Sequence, residues 1–277
     1  MQIKNIRILI YSLFIFLALG AGQSVLAQAG LVSTPTPNAV TNTRDQRSSV
    51  TNAARTMLPS VVTIVGKKIV PVREVTLRSV TVSSEDANGI HIQTAPVKVR
   101  VVSEQKITSG SGFIGTHDGY VVTNNHVVSD EKTTYTVTLF DGTRKPAVVT
   151  YRDPVRDVAI LKIDGTYDTV PKLGNSSDVE VGDTVAAIGN AFGQYRNSIS
   201  IGTISSLNEN IMAEGDNMFE QLTGLLQSDA DTAPGFSGGP VVDTNGNVIG
   251  INVAMGDSES YLIPINVVKQ AMSHIKS

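Results

Sequence analysis

Short runs of β-branched residues, separated by turn residues, extend through most of the chain, and they limit its fold more than any other feature. Val, Ile and Thr pack well on a pleated surface and are therefore enriched in strands. Asp-Gly or Asn-Gly pairs stand between several of the runs, as they do in tight hairpins. Many short strands with few helical periods predict an all-β barrel or sandwich. The predicted strands are Val61–Val65, Tyr120–Thr123, Tyr135–Phe140, Val158–Ile163, Val185–Ile188, Ile199–Ile204 and Val248–Val253.

Three other segments have patterns of their own. After Pro264, apolar residues recur at helical spacing, which predicts a short C-terminal helix. Residues 30–54 are rich in Ser, Thr, Pro and Asn, and this composition predicts a flexible linker. Residues from about 67 to 107 alternate on both sides of Asn88-Gly89, which indicates an extended hairpin inserted into the folded domain. We therefore place that domain at residues 55–277.

The first 29 residues have the features of an export signal. Lys4 and Arg7 precede an apolar run, and Ala27-Gln28-Ala29 has small residues at the positions that a signal peptidase reads. The run contains about fifteen apolar residues, whereas a transmembrane helix needs about twenty. We interpret residues 1–29 as a cleaved signal peptide, with an uncleaved anchor as the alternative. Either interpretation predicts an extracytoplasmic protein, periplasmic or secreted and in the second case membrane-anchored.

Composition excludes several functional classes. With 41% hydrophobic and 17% charged residues, the chain can form a packed core. Its net charge is −3, and removal of residues 1–29 takes away two of 22 basic residues and none of 25 acidic ones, which leaves −5. A mildly acidic protein predicts no nucleic-acid partner, and membrane contact only if the N-terminal segment is retained. No cysteine is present, so disulfides and thiol nucleophiles are excluded. The sequence contains no metal-ligand cluster and no nucleotide-binding motif in its proper structural context. We therefore expect no metal and no cofactor.

A glycine-rich turn surrounds one serine in Pro234-Gly235-Phe236-Ser237-Gly238-Gly239. A serine between glycines in a tight turn can present its hydroxyl outward while backbone N–H groups converge on one point. Such a point stabilises the oxyanion of an acyl-transfer intermediate. By itself, the pattern also fits an ordinary turn between strands.

A nucleophilic serine needs a base and a group that orients the base. Among four histidines, His126 alone stands near the end of a predicted strand and precedes an apolar pair. Asp157 opens the apolar run after it, where a carboxylate is costly unless it is hydrogen-bonded. Separately, each residue fits an ordinary structural role, but together they predict a catalytic triad of Ser237, His126 and Asp157.

The segments that carry these residues resemble the His, Asp and Ser motifs of the HtrA (Deg) serine proteases. The similarity includes the segments that precede the His and Ser motifs, and it extends from about residue 55 to 272. The matching segments are Gly110–Ile114, Thr123–Val128, Asp157–Lys162, Gln227–Ala230 and Gly235–Pro240.

The resemblance implies an all-β, chymotrypsin/trypsin-like double six-stranded β-barrel with a short C-terminal helix. The boundary between the barrels would lie at about residues 165–180, and the active site between them. The resemblance makes Ser237 the nucleophile, His126 the general base and Asp157 its orienter. It also assigns the oxyanion hole to the backbone N–H groups of Gly235 and Ser237.

Three features depart from the family pattern. Phe236 stands where the family has asparagine, and its bulky apolar side chain cannot make the hydrogen bonds of an amide in the oxyanion loop. The sequence ends soon after its last predicted strand, so we expect no C-terminal PDZ domain. No Phe, Trp or Tyr occurs between residue 30 and Phe113, so we expect no trimer clamped by aromatic residues of an N-terminal arm.

Together the motifs predict a serine endopeptidase (EC 3.4.21 type) that acts through an acyl-enzyme. By resemblance, its substrates would be unfolded or extended polypeptides of the cell envelope, in protein quality control. The alternative is a catalytically silent protein that uses a protease fold for binding or chaperone activity. Phe236 favours this alternative, and the complete triad opposes it.

Asp231 and Thr232 are the candidates for the pocket that receives the side chain before the scissile bond. Asp231 stands six residues before Ser237, the offset at which trypsin has the acid that selects Arg and Lys. Thr232 replaces an apolar residue of the family and would make the pocket more polar. The alternative, which we favour on sequence alone, is that Asp231 turns outward and accepts hydrogen bonds from its own loop.

Overall fold

The computed structural model describes residues 37–86, 89–191, 195–214, 219–255 and 259–275. The predicted signal peptide at residues 1–29 lies outside the described residues, as does the beginning of the predicted linker. Within the described part of the chain, no helix is both long enough and apolar enough to cross a membrane.

Strands of the described residues form two closed antiparallel barrels of six strands each. The strand order around the first barrel is β1-β2-β3-β6-β5-β4, and the second barrel repeats it as β7-β8-β9-β12-β11-β10. This confirms the predicted double barrel. The first barrel contains β1 Val61–Asp86, β2 Gly89–Ile114, β3 Tyr120–Thr123, β4 Thr134–Thr138, β5 Arg144–Asp153 and β6 Val158–Lys162. The second contains β7 Thr184–Ala191, β8 Tyr195–Glu214, β9 Phe219–Ser228, β10 Pro240–Val242, β11 Val248–Met255 and β12 Ser260–Pro264.

Three clusters of buried apolar side chains hold this arrangement together. One fills the first barrel around Ile64 and Leu161, and another fills the second around Val185 and Leu262. The third cluster takes residues from both barrels, including Phe113 of β2 and Ile188 of β7. Because apolar burial joins the barrels, loops from the two halves meet at fixed positions.

Each of the seven predicted runs corresponds to a strand, but four strands were not predicted. They are β5, β9, β10 and β12. Strand β5 alternates between exposed and half-buried residues and has no fully buried one, so its hydrophobic signal is weak. The other three are short or contain Ser, Gln, Thr, Gly and Pro. Strands β1 and β2 are longer than predicted from their apolar runs, because they remain paired as far as Asp86 and Gly89.

The tight turns at Asp141-Gly142 and Asn245-Gly246 have three-residue loops, and the turn at Asp118-Gly119 has a four-residue loop. In the turn at Asp141-Gly142, the Gly142 N–H donates to the carbonyl of Leu139 at 3.0 Å, and the N–H of Leu139 donates to the carbonyl of Thr143 at 2.8 Å. Gly142 has a φ of +89°. This is a type I turn followed by a glycine with positive φ, the usual three-residue hairpin loop.

Residues Pro37–Met57 form helix α1, where the sequence predicted a flexible linker over residues 30–54. That prediction is therefore corrected for the described residues 37–54. Val50, Ala54 and Met57 are buried at helical spacing in the cluster that joins the barrels. Gln46 also accepts a hydrogen bond from Thr184 of β7 at 3.3 Å. The polar outer face of the helix gives the segment a linker-like composition and conceals this single apolar stripe.

Helix α2, Ile265–Ser273, confirms the predicted C-terminal helix. It begins directly after Pro264, which is compatible with a helix start because proline lacks the N–H that would be unpaired there. The helix also contacts the first barrel, since the Arg156 guanidinium donates to Gln270 at 3.1 Å. Next to it, His274 stacks on Tyr151 with 5.4 Å between the ring centroids. Helix α2 therefore fixes the loop that leads to Asp157.

Candidate active site

His126 and Asp157 form a hydrogen-bonded pair at one end of the first barrel. Nδ1 of His126 lies 2.7 Å from Oδ2 of Asp157, and the backbone N–H of His126 donates to Oδ1 at 2.8 Å. The Asp157 side chain is 1% exposed, whereas that of His126 is 42% exposed. A buried carboxylate thus holds both the ring and the backbone of the histidine.

The backbone of Asp157 is in the left-handed region, with a φ of +53°. Aspartate is one of the few non-glycine residues that tolerate this conformation. The side-chain amide of Asn124 donates to the carbonyl of Asp157 at 3.0 Å, and the N–H of Asn125 donates to the same carbonyl at 3.2 Å. The two asparagines that precede the histidine therefore fix the turn that presents the aspartate.

Ser237 lies in the second of two consecutive turns, which share Phe236. The N–H of Phe236 donates to the carbonyl of Ala233 at 3.0 Å, and the N–H of Gly239 donates to the carbonyl of Phe236 at 2.8 Å. The third residue of each turn is a glycine with positive φ, +103° at Gly235 and +83° at Gly238. Positive φ at the third position defines a type II turn, which requires glycine there.

This serine loop belongs to the second barrel and rests against strand β2 of the first. The N–H of Ser111 donates to the carbonyl of Ser237 at 2.8 Å, and the Ser111 hydroxyl donates to the carbonyl of Gly235 at 2.6 Å. A Cβ atom on Gly238 would overlap Thr123 Oγ1 and the Ser111 carbonyl, so only glycine fits there. Because Thr123 is three residues before His126, these contacts bring the serine loop to the histidine segment.

Two backbone donors of the serine loop remain available. Among the described residues, the N–H groups of Gly235 and Ser237 donate to no backbone carbonyl. In a type II turn, the central peptide is reversed relative to a type I turn, which sets the direction of the Gly235 N–H. Unpaired N–H groups on either side of Phe236 can together bind an anionic oxygen.

Phe236, the residue that departs from the family pattern, faces the interior of the second barrel. Its side chain is 3% exposed and packs in that barrel's core. Gly189 of β7 provides the space, because a Cβ there would come within 2.8 Å of the phenylalanine ring. Phe236 therefore anchors the serine loop by burial.

The candidate pocket residues have contrasting environments. Asp231 is exposed, and within the described residues its carboxylate makes no hydrogen bond to its own loop. The neighbouring Asp229 instead accepts hydrogen bonds from the N–H and hydroxyl of Thr203 on strand β8. Thr232 is 7% exposed, and its buried hydroxyl has no partner in the described part of the chain.

Sequence reasoning named Ser237, His126 and Asp157 as the site but did not single out two residues that contact them or their loop. Ser111 was recognised only as part of a glycine-containing segment, and Asn124 only as part of the histidine motif. A buried serine between two glycines in a strand is the signal that could have identified Ser111, since such glycines allow another backbone to approach closely. The bond from Asn124 to Asp157 joins positions 33 residues apart and depends on the tertiary structure.

Two six-stranded barrels with a His–Asp pair on one and a serine turn from the other define the trypsin-like class of folds. The model of the trypsin-like peptidase domain matches residues 110–251, which are 142 of the 277 residues. The chain belongs to this family.

Relatives within the class support the resemblance to HtrA proteases. A probable periplasmic serine endoprotease, DegP-like, of Chlamydia pneumoniae is 42% identical over 146 residues, 53% of this chain and 28% of that protein. A protein of the same description from Brucella suis biovar 1 (strain 1330) is 39% identical over 186 residues, 64% of this chain and 35% of that protein. The chain thus spans about a third or less of the length of these curated relatives.

Solved structures agree with the sequence relatives. The HtrA-type protease AlgW with a decapeptide has a TM-score of 0.62 and 29% identity over 82% of this chain and 67% of the AlgW chain. The same protease with a tripeptide has a TM-score of 0.60 and 27% identity, covering 82% and 63% of the two chains. The predicted resemblance to the HtrA (Deg) family is confirmed.

Proposed function

We propose that this protein is a serine endopeptidase with Ser237, His126 and Asp157 as its catalytic triad. The observation that carries the proposal is the 2.7 Å bond between His126 and the buried Asp157. The serine loop is hydrogen-bonded to β2 of the barrel that carries that pair, which supports Ser237 as the nucleophile that His126 would activate.

The chemistry follows from these positions. Because Asp157 holds Nδ1 of His126, Nε2 can accept the proton of the Ser237 hydroxyl as Oγ attacks the scissile carbonyl. The N–H groups of Gly235 and Ser237 stabilise the oxyanion of the tetrahedral intermediate. His126 then gives its proton to the leaving amine, which leaves an acyl-enzyme. Water activated by the same histidine hydrolyses the ester and restores the serine.

For the substrates we propose extended or unfolded polypeptides outside the cytoplasm. The curated relatives are named periplasmic serine endoproteases, and the AlgW structures contain peptides. This agrees with the export signal predicted at residues 1–29.

Cleavage of denatured casein by the purified chain tests the proposal. We expect wild type to cleave casein and Ser237→Ala to be inactive. His126→Ala should lose about 10⁴-fold or more in kcat, as triad removals do. The wild-type rate should fall in acid, because a protonated imidazole cannot accept the serine proton. Equal activity of wild type and Ser237→Ala would refute the assignment.

The alternative, a silent binding protein with a protease fold, requires an oxyanion loop that cannot function. The bulk of Phe236 was its support, but this side chain is buried away from the turn donors. The positive φ of Gly235 and the available N–H groups oppose it as well. Casein binding without cleavage by wild type would favour this alternative.

We further propose that Asp231 allows the pocket to accept a basic side chain from the substrate residue before the scissile bond. The carboxylate is exposed and makes no bond to its own loop, so a Lys or Arg side chain can approach it. A matched peptide set with Arg, Lys, Val or Ala at that position, cleaved by wild type and Asp231→Ala, tests this. The variant should lose rate on Arg and Lys only. Equal preference for Val by both proteins would exclude Asp231 as a specificity residue.

For the assembly we propose that no trimer is clamped by N-terminal aromatic residues, since residues 31–112 contain no Phe, Trp or Tyr. Light scattering at micromolar concentration tests this proposal. A sharp trimer mass would contradict it.

A further inference from the structure

Ser111 makes two hydrogen bonds to the serine loop, and they reach carbonyl groups on both sides of Phe236. Its N–H holds the carbonyl of Ser237 at 2.8 Å, and its hydroxyl holds the carbonyl of Gly235 at 2.6 Å. Ser111 itself is completely buried. One residue of the first barrel therefore binds both peptide carbonyls that flank the proposed oxyanion hole.

The pairing of β2 explains why Ser111 is available for this contact. Ser111 stands opposite Thr63 of β1. The N–H of Ser111 donates to the serine loop, and its carbonyl accepts a hydrogen bond from Thr123 Oγ1 at 2.7 Å. Both backbone groups of Ser111 are therefore directed away from β1. Ser111 and Thr63 thus form a non-hydrogen-bonded pair of the antiparallel ladder. Among the described residues, strand β3 pairs with β2 at Phe113 and Ile114 only. The edge of β2 is thus open at Ser111, and the serine loop occupies it.

The bond to Gly235 bears directly on the shape of the oxyanion loop. The turn Ala233–Phe236 is of type II, and rotation of its central peptide would convert it to type I. That rotation requires Gly235 to leave its φ of +103° and would replace its N–H in the hole by the carbonyl of Pro234. A hydroxyl bound to the carbonyl of Gly235 opposes this rotation, because it fixes the peptide on the other side of the same residue.

We propose that Ser111 is a positioning residue that keeps the serine loop in its oxyanion-binding conformation. This rests on the proposed peptidase function. The Ser111 hydroxyl binds the carbonyl of Gly235, and its effect passes through the direction of the Gly235 N–H.

The test compares Ser111→Ala with Ser60→Ala, a matched control. Ser60 is also completely buried, and its hydroxyl donates to the carbonyl of Met57 at 2.7 Å, outside the site. Peptide hydrolysis gives kcat and KM, and thermal unfolding gives stability. We expect Ser111→Ala to lose about 10- to 100-fold in kcat with KM changed less than about twofold, because removal of an oxyanion-hole donor costs about 10²- to 10³-fold and this donor is only displaced. Ser60→Ala should retain its kcat.

Two further readouts separate positioning from a merely structural role. The acid limb of the pH–rate profile should be unchanged in Ser111→Ala, since the His126–Asp157 pair is untouched. Ser111→Cys keeps a weak donor of similar size and should recover part of the lost kcat; it also serves as the test variant if Ser111→Ala does not fold. If wild type is active and the Ser111 variants have an unchanged kcat, the positioning role of Ser111 is refuted but the peptidase proposal is not. An equal loss in Ser60→Ala overturns the positioning role as well, whereas an inactive wild type refutes the peptidase proposal.

Discussion

Asp157 combines three properties that single substitutions can separate: a left-handed backbone, burial, and a charge-assisted bond to His126. Asn is the replacement that preserves most of them, because Asn also tolerates positive φ and has nearly the same shape. What Asn cannot do is accept a hydrogen bond at both side-chain positions. Backbone geometry and proton chemistry can therefore be tested independently at this residue.

We predict that Asp157→Asn lowers kcat about 10⁴-fold and leaves the fold intact. The amide holds the imidazole in the wrong tautomer and cannot stabilise its cation. Steady-state kinetics measures the loss, and the circular dichroism spectrum should match that of wild type. A variant with more than a tenth of wild-type kcat would show that Asp157 is not the orienting residue.

Gly238 lies where the two barrels touch, and we predict that Gly238→Ala destabilises the protein and abolishes activity. The variant combines positive φ with overlap against Thr123 and the Ser111 carbonyl. Positive φ costs a non-glycine residue about 1–2 kcal/mol, and overpacking adds about 1–3 kcal/mol. Urea unfolding measures the change in free energy.

Gly182→Ala is the control for this variant. Gly182 has a similar φ, +99°, but a Cβ there would meet nothing within 4 Å. The free energy of unfolding of Gly182→Ala should fall only by the cost of positive φ, about 1–2 kcal/mol, and the variant should remain active. Equal losses in the two variants would mean that contact between the serine loop and the first barrel adds no constraint at Gly238.

Helix α1 behaves as part of the core even though its composition resembles that of a linker. Its buried residues join the cluster between the barrels, and only the three residues Leu58–Ser60 separate the helix from β1. A helix with so few apolar residues is stable here because tertiary packing, rather than propensity, provides most helical stability in proteins.

We predict that Met57→Ala lowers the free energy of unfolding by about 2–5 kcal/mol, as expected for a large-to-small change at a core position. Met57 is 4% exposed. Asn52→Ala on the exposed face of the same helix should change it by less than about 0.5 kcal/mol. Urea unfolding of both variants compares them. Two unchanged midpoints would mean that the segment is the flexible linker predicted from sequence.

At the scale of the whole molecule, two surface carboxylates that are better bound in the folded state contribute to its stability in acid. The Lys68 ammonium, 2.7 Å away, lowers the pKa of Asp130, and the backbone N–H of Thr143 lowers the pKa of Asp141. A pKa lowered by folding stabilises the protein above the unfolded value, about 3.9 for Asp, and this stabilisation is lost as the pH falls through the folded value.

We predict that wild type loses stability from about pH 5 to about pH 3 and that the double variant Asp130→Asn/Asp141→Asn loses less over that window. Urea midpoints at several pH values measure both slopes. Lys68→Gln should reduce the slope in the same direction, since it removes the main cause of the shift at Asp130. Identical slopes in all three proteins would exclude these carboxylates as the acid-sensitive groups.

The sequence by itself determined the residues of the proposed site and the class of the fold. The turn Pro-Gly-Phe-Ser-Gly-Gly specifies its shape locally, because positive φ at Gly235 and Gly238 requires glycine whatever surrounds it. Strands with a buried face, such as β6 and β11, are equally visible, since burial dictates β-branched apolar residues.

Only the tertiary structure decided how these parts meet. Strand β5 is hydrogen-bonded on both sides but has no fully buried residue, so the closure of the barrel and not its composition makes it a strand. The second barrel repeats the strand order of the first without a visible sequence repeat, because a topology fixes which strands pair but not which residues they contain. The bonds from Ser111 to the serine loop connect positions 124 and 126 residues apart. Contacts over such separations leave no local pattern in a sequence, and they form only when the two barrels pack together.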